Sequence, residues 1–138
     1  LYLPVNQPDA VNCRINDSLD EFLWANEQYH VVKDKLPPME PKGYFTDYLG
    51  VQAARAIVAN KHNPFFMYLA FTAVHTPNQA LKSDYDALSA HANMTHCDKV
   101  YAAMIIALDR AIGKVLNALA EAGVSDNTLV VFTSDNGQ

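Results

Sequence analysis

The sequence predicts an α/β fold built on a mostly parallel sheet, and three observations carry that prediction. Phe65 to Phe71 is an apolar run of seven residues bounded by turn formers. Thr128 to Thr133 is a second run of the same kind. Between them, Asp98 to Ala122 repeats apolar residues at helical spacing. Strands covered on both faces read as continuous apolar runs rather than as alternation. Two such strands joined by a crossover helix pair in parallel, with a right-handed connection.

Taken in order, residues 1–43 read as an irregular covering segment, punctuated by Pro4, Pro8, Pro37, Pro38 and Pro41. Ser18 fits the N-cap of a short helix reaching about Asn26, and Val31-Val32 fits a short strand. After Gly43, Thr46 is placed to cap a helix whose apolar positions Leu49, Ala53, Ala56 and Ile57 recur at helical spacing, ending near Asn60. Asn63-Pro64 breaks that helix before the first apolar run. Residues 72–96 read as a long connection containing Pro77, with one helical turn at Ser83 to Leu88. In the long helix, Tyr101, Met104, Ile105, Leu108, Ile112, Val115, Leu116 and Leu119 predict one buried stripe. Each such side chain contributes about 1.5–3 kcal/mol on burial, before entropy. Gly123 ends the helix as its C′ residue, and Ser125-Asp126-Asn127 turns the chain into the second run. Residues 1–138 thus form one partial domain, with 44–138 as its α/β core portion.

Composition narrows the function. Half of the 138 residues are hydrophobic and 18% are charged, which suits a packed core. The formal charge of −5 and the lack of a basic run argue against a nucleic-acid partner. No apolar stretch is long enough to span a membrane. No signal peptide is visible, and the chain starts at Leu1. The two cysteines, Cys13 and Cys97, either form a disulfide or stay as buried thiols; neither has the context of a nucleophile. Asn16-Asp17-Ser18 and Asn93-Met94-Thr95 match the short glycosylation tripeptide.

In a parallel sheet, ligands collect beyond the carboxyl ends of the strands. The first run delivers Val74-His75-Thr76-Pro77 there, and the second delivers Ser134-Asp135-Asn136-Gly137. Asp135 and Asn136 offer oxygen donors suited to a hard cation such as calcium, whose shell takes six to eight. Asn-Gly is also a turn former. His75 can donate a proton to a leaving group or bond an anion, or sit as a surface residue of a Pro loop. His30, His62, His91 and His96 read as solvated, Lys61 and Lys82 as surface lysines, and Asp109 as a local partner within its helix.

Three stretches share a further property. GYFTDYLGVQAARAIVAN, PFFMYLAFTAVHTP and YAAMIIALDRAIGKVLNALAEAGVSDNTLVVFTSDNG resemble, in letters, order and spacing, the sulfatases of the alkaline-phosphatase-like superfamily, arylsulfatase branch. The resemblance implies a calcium-dependent sulfuric ester hydrolase. It makes Asp135 and Asn136 calcium ligands and places Asp135 to accept a proton from the nucleophile. It makes His75 a sulfate contact and proton donor to the departing alcohol. The substrate implied is a sulfate ester, with a sulfated carbohydrate as one candidate, and the implied location is exported: periplasm, lysosome or outside the cell.

The family's formylglycine nucleophile, made from Cys or Ser in C-x-P-x-R, has no counterpart here. The early Asp-Asp ligands, the Lys-x-His segment and the Lys after the D-N-G strand are also missing. The chain is therefore expected to be an internal fragment that alone binds calcium weakly and hydrolyses nothing. A phosphodiesterase or phosphonate hydrolase of the same superfamily, a degenerate binding homologue, or a plain α/β domain are the alternatives.

Overall fold

The computed structural model of the chain describes residues 10–13, 43–91 and 93–136. The expected helix at 18–26 and strand at 31–32 lie outside them. The described elements are β1 (Ala10–Cys13), α1 (Phe45–Asn60), β2 (Asn78–Leu81), α2 (Lys82–Ala87), α3 (His96–Glu121) and a 3-10 turn at Ser125–Asn127.

The long helix α3 is the spine, and α1, α2, β1 and β2 all touch it. Its ends follow from local chemistry. Thr95 is the N-cap: its hydroxyl accepts from the Asp98 amide at 3.2 Å, while its own amide donates to the Asp98 carboxylate at 3.1 Å. These reciprocal bonds make a capping box. The Thr95 hydroxyl also donates to the Asp98 carboxylate at 2.7 Å, and that bond first, with the one from the Thr95 amide, holds the carboxyl below its ordinary pKa. At the other end Gly123 adopts φ +70°. The Gly123 amide donates to Ala120 and the Val124 amide to Leu119, at 3.0 and 3.1 Å. Val124 also packs with Leu119, completing the Schellman motif that the glycine predicts.

The buried stripe of α3 differs from the expected one. Val100, Ala103, Met104, Ala107, Ala111, Ala118 and Leu119 are buried, whereas Ile105 and Leu116 are each 46% exposed. The reason is close packing by α1. A Cβ placed on Gly50 would lie 3.0 Å from the Cβ and carbonyl oxygen of Ala111, so the axes meet along the small side chains. The larger apolar residues are left on the flank. The cap of α1 also differs: Tyr44, with extended backbone, precedes the helix, and Thr46 is buried inside its first turn. A cap must have non-helical dihedrals, which Thr46 lacks.

The two helices run the same way. Asp47 bonds Arg110 and Lys114, Gly50 abuts Ala111, and Ile57 packs on Ala118 and Leu119, so positions rise together along both. After α1, Phe65 and Met67 pack on the same cluster as Ile57, Ala118 and Leu119. Val74 packs on Ala80, Val100, Ala103 and Met104, near the start of α3. The 65–74 segment therefore runs back along the spine. Nine extended residues span about 30 Å, close to the roughly 28 Å that 19 helical residues rise.

Within the described residues the two apolar runs are less covered than expected. The 65–71 segment alternates, with Phe66 93% exposed and Tyr68 84% exposed between half-buried neighbours. In the 128–133 segment Leu129, Val130, Val131 and Phe132 are all exposed. Both are extended without ladder bonds among the described residues, because no strand there lies beside them. The ladder that does form is antiparallel and was not predicted: β1 pairs with β2, with Ala10 opposite Leu81 and Cys13 opposite Asn78. Four residues each, AVNC and NQAL, are too short and too polar to show a period.

Candidate functional site

His75 sits in the turn that carries the chain from the 65–74 segment into β2. Its amide donates to the Thr72 carbonyl at 2.9 Å, and its Nδ1 lies 2.7 Å from the Thr76 carbonyl oxygen. A carbonyl only accepts, so Nδ1 carries the proton and the tautomer is fixed. The peptide bonds Ala73–Val74 and Thr76–Pro77 within this turn are cis.

The turn is anchored on both sides. Upstream, Val74 packs on the start of the spine; downstream, the Tyr44 hydroxyl donates to the Gln79 carbonyl of β2 at 2.8 Å. Burial drives the Tyr44 phenol up to about 12, so it remains a donor across the physiological range.

Asp135 and Asn136 lie just past the second extended segment, and both are exposed. Asn136 Nδ2 donates to Asp135 Oδ2 at 3.2 Å, and the Ser134 hydroxyl donates to the Asn136 carbonyl at 2.7 Å. The acid and amide are thus side by side in one turn. For both to face one cation, the amide turns half a revolution about its terminal torsion, bringing Oδ1 beside the carboxylate in place of Nδ2. The donors are hard, adjacent and reachable, and so fit part of a calcium shell. Among the described residues no group of three or more His, Cys, Asp or Glu could hold a metal. Hydrogen bonds join Asp135 to Asn136 in one loop and His75 to Thr76 in the other.

Sequence reasoning missed a supporting cluster. Arg110 grips two carboxylates through paired bonds: Asp47 at 3.1 and 3.0 Å, and Asp84 at 2.8 and 2.9 Å. Lys114 adds a bond to Asp47 at 3.2 Å. Two cations meet two anions, tying α1, α2 and α3 together. Burial pushes Asp47 up, but Arg110 and Lys114 outweigh it and hold the carboxyl below its usual range. The bonds to Asp84 and then Asp47 raise the guanidinium's pKa further. A signal was present in the sequence, since Arg110 and Lys114 continue the spacing of Ala103 and Ala107 onto the face that becomes buried.

His96 and Lys82 lie at the surface as expected, each with a local partner. His96 shares a 2.9 Å hydrogen bond with the Tyr85 hydroxyl and meets that ring edge-on at 5.5 Å. Lys82 pairs with Asp86 one turn along α2, while Lys61, His62 and His91 are exposed as expected. Cys97, in the first turn of α3, is disulfide-bonded.

Residues 7–138 match the sulfatase family model. The chain belongs to the sulfatase family. Its fold class is accordingly the α/β, alkaline-phosphatase-like one. It is 34% identical over 98 residues to the uncharacterized sulfatase YdeN of Escherichia coli K12, covering 70% of this chain and 17% of that protein. It is 33% identical over 97 residues to mouse arylsulfatase J, covering 69% of this chain and 16% of the relative. Human steryl-sulfatase is 34% identical over 100 residues, with coverage of 71% and 16%. The chain thus spans about a sixth of the length of these relatives. None of the described helices is long and apolar enough to cross a membrane.

Proposed function

We propose that the protein to which this sulfatase chain belongs hydrolyses sulfate esters, with His75, Asp135 and Asn136 in one crevice. The observation that carries the reading is the co-directional packing of α1 and α3. Both apolar segments leave the same end of that helix pair, beside Ile57, Ala118 and Leu119. The first returns along the spine and presents His75 near its start. A second segment running beside it brings Asp135 to the same edge, since seven extended residues reach about 23 Å. In that arrangement the segments are neighbouring parallel strands, and their exposed faces are covered by the rest of the sheet.

His75 then acts as the general acid. The Thr76 carbonyl holds Nδ1–H and so orients the ring, while protonated Nε2 bonds the ester oxygen and releases its proton as the alcohol departs. Asp135 and Asn136 supply three side-chain oxygens to a calcium ion, with Asp135 also placed to take the nucleophile's proton. Calcium, when bound, offsets the negative charge of the sulfate oxygens. The nucleophile, a formylglycine, is expected outside these 138 residues. A sulfated carbohydrate is the proposed substrate class, and export the proposed location.

The test is hydrolysis of an aryl sulfate by the full-length protein, with and without a calcium chelator. Turnover abolished by chelation and restored by calcium supports the reading. Turnover of a phosphate diester but not of a sulfate ester transfers the site to the phosphodiesterase alternative.

A further inference from the structure

We propose that Tyr44 is a positioning residue for His75: its hydroxyl, anchored at the start of α1, fixes the Gln79 carbonyl of β2 and so sets where the turn before that strand presents the imidazole. The inference rests on the general-acid reading of His75 and adds to it a residue that acts through the backbone.

The two sides of the turn are held differently. Upstream, Val74 packs among Ala80, Val100, Ala103 and Met104, a contact that is apolar and therefore non-directional. Downstream, the chain reaches Gln79 four residues after His75. There the Tyr44 hydroxyl donates to the backbone carbonyl at 2.8 Å, a bond that constrains both distance and angle. Pro77 lies between and locks its own φ, so the link from Gln79 back to His75 is short and stiff. The ladder cannot supply that precision alone. Among the described residues β2 is a four-residue strand in a two-stranded sheet, and such ladders are marginal by themselves.

Tyr44 is a fixed point because of its surroundings. The residue is buried, and the Thr46 side chain hydrogen-bonds its phenol. Next along α1, Asp47 is gripped by Arg110 and Lys114, and Arg110 reaches on to Asp84 in the first turn of α2. Both ends of the stretch 79–84 are therefore tied to the start of α1. Gln79 is tied directly through Tyr44, and Asp84 through Arg110 and Asp47. Loss of the ion pairs loosens the far end of that stretch; loss of the single hydroxyl loosens the near end, beside His75. A displacement of about 1 Å at a reacting group can cost about a hundredfold in rate, so one hydrogen bond this close to the turn is enough to set activity.

The test is Y44F in the full-length protein, which removes the hydroxyl and keeps the packing of the ring. Hydrogen exchange comes first, because it reads no activity. Peptides covering 72–81 should exchange about tenfold faster in Y44F, while those covering 48–60 keep their rate. Unchanged exchange over 72–81 overturns the proposal whatever the enzyme does. Kinetics then separate positioning from general loosening. With sulfate esters of simple alcohols, which are poor leaving groups, Y44F should lower kcat about tenfold or more. With an activated nitrophenyl sulfate the loss should stay below about twofold, because that group departs without a proton. An equal loss on both substrates overturns the proposal and leaves Tyr44 a structural residue. Y44F/H75A should match H75A within about twofold, since Tyr44 acts through the imidazole; additive losses overturn the proposal. H75A alone tests the underlying reading. A loss there that ignores the leaving group removes the general acid and this inference with it, whereas selectivity in H75A without selectivity in Y44F removes the positioning role alone.

Discussion

The two extended segments share a composition and differ in what holds them. The 65–74 segment touches the helical layer at both ends, through Phe65 and Met67 at the close of α3 and Val74 near its start. Among the described residues, the 128–133 segment is tied only where it begins, by the Schellman turn at Gly123 and a 2.7 Å bond from the Thr128 hydroxyl to the Val124 carbonyl. His75 therefore takes its place from contacts within the described chain. Asp135 and Asn136 take theirs from whatever lies beside an apolar segment whose four central side chains are exposed. Alternate burial of the first segment and full exposure of the second show that an apolar run specifies a need for cover rather than the cover itself.

The largest expected effect tests whether two differently held loops serve one reaction. In the full-length protein, D135A should lower kcat/KM for an aryl sulfate about a thousandfold, with a fall in Tm no larger than the one calcium chelation causes in the unsubstituted protein. H75A should cost about a hundred- to ten-thousandfold, and less for leaving groups of low pKa, which need no protonation. A loss in H75A that is independent of the leaving group would refute the general-acid role.

Next in size is the ion cluster behind the first loop. R110A should destabilise by about 3 kcal/mol in denaturant melts, since Asp84 is buried and loses both bonds to the guanidinium. R110K should recover only part, because an ammonium cannot fork two carboxylates. Asp47 adds a pH signature. Its folded pKa is depressed, so its stabilisation is complete above the unfolded value near 4 and is lost as pH falls through the lower folded value. R110A should flatten that acid limb.

A smaller pair compares the segments directly. M67A, on the half-buried inner face, should cost about 1–2 kcal/mol. V131A, 75% exposed here, should cost as much in the full-length protein if a sheet covers it there. A V131A cost near zero would break the parallel-strand proposal. Smallest is G123A, worth about 1 kcal/mol, because Gly123 holds φ +70° with no atom near a new Cβ, so the penalty is conformational alone.

The residues of the proposed site stand out as letters: His75 after one apolar run, Asp135-Asn136 after the other. The supports do not. The spacing puts Arg110 on the stripe of Ala103 and Ala107, but its partners are visible only once α1 and α2 bring Asp47 and Asp84 to it from 63 and 26 residues away. β1 and β2 are visible only as a pair, because neither four-residue stretch carries a period of its own.

By itself the sequence determined the local features: the helix α1 to Asn60, the Gly123 stop, the turn at 125–127, and the motif residues at the ends of the two runs. Each depends on dihedral preferences and hydrogen bonds reaching only a few residues along the chain, which neighbouring letters encode. Tertiary structure alone decided which side of α3 is buried, which residue caps α1, and how β1 finds β2. Those outcomes depend on which surfaces meet, and the meeting of Gly50 with Ala111 selected the alanine face over the bulkier one that periodicity favoured.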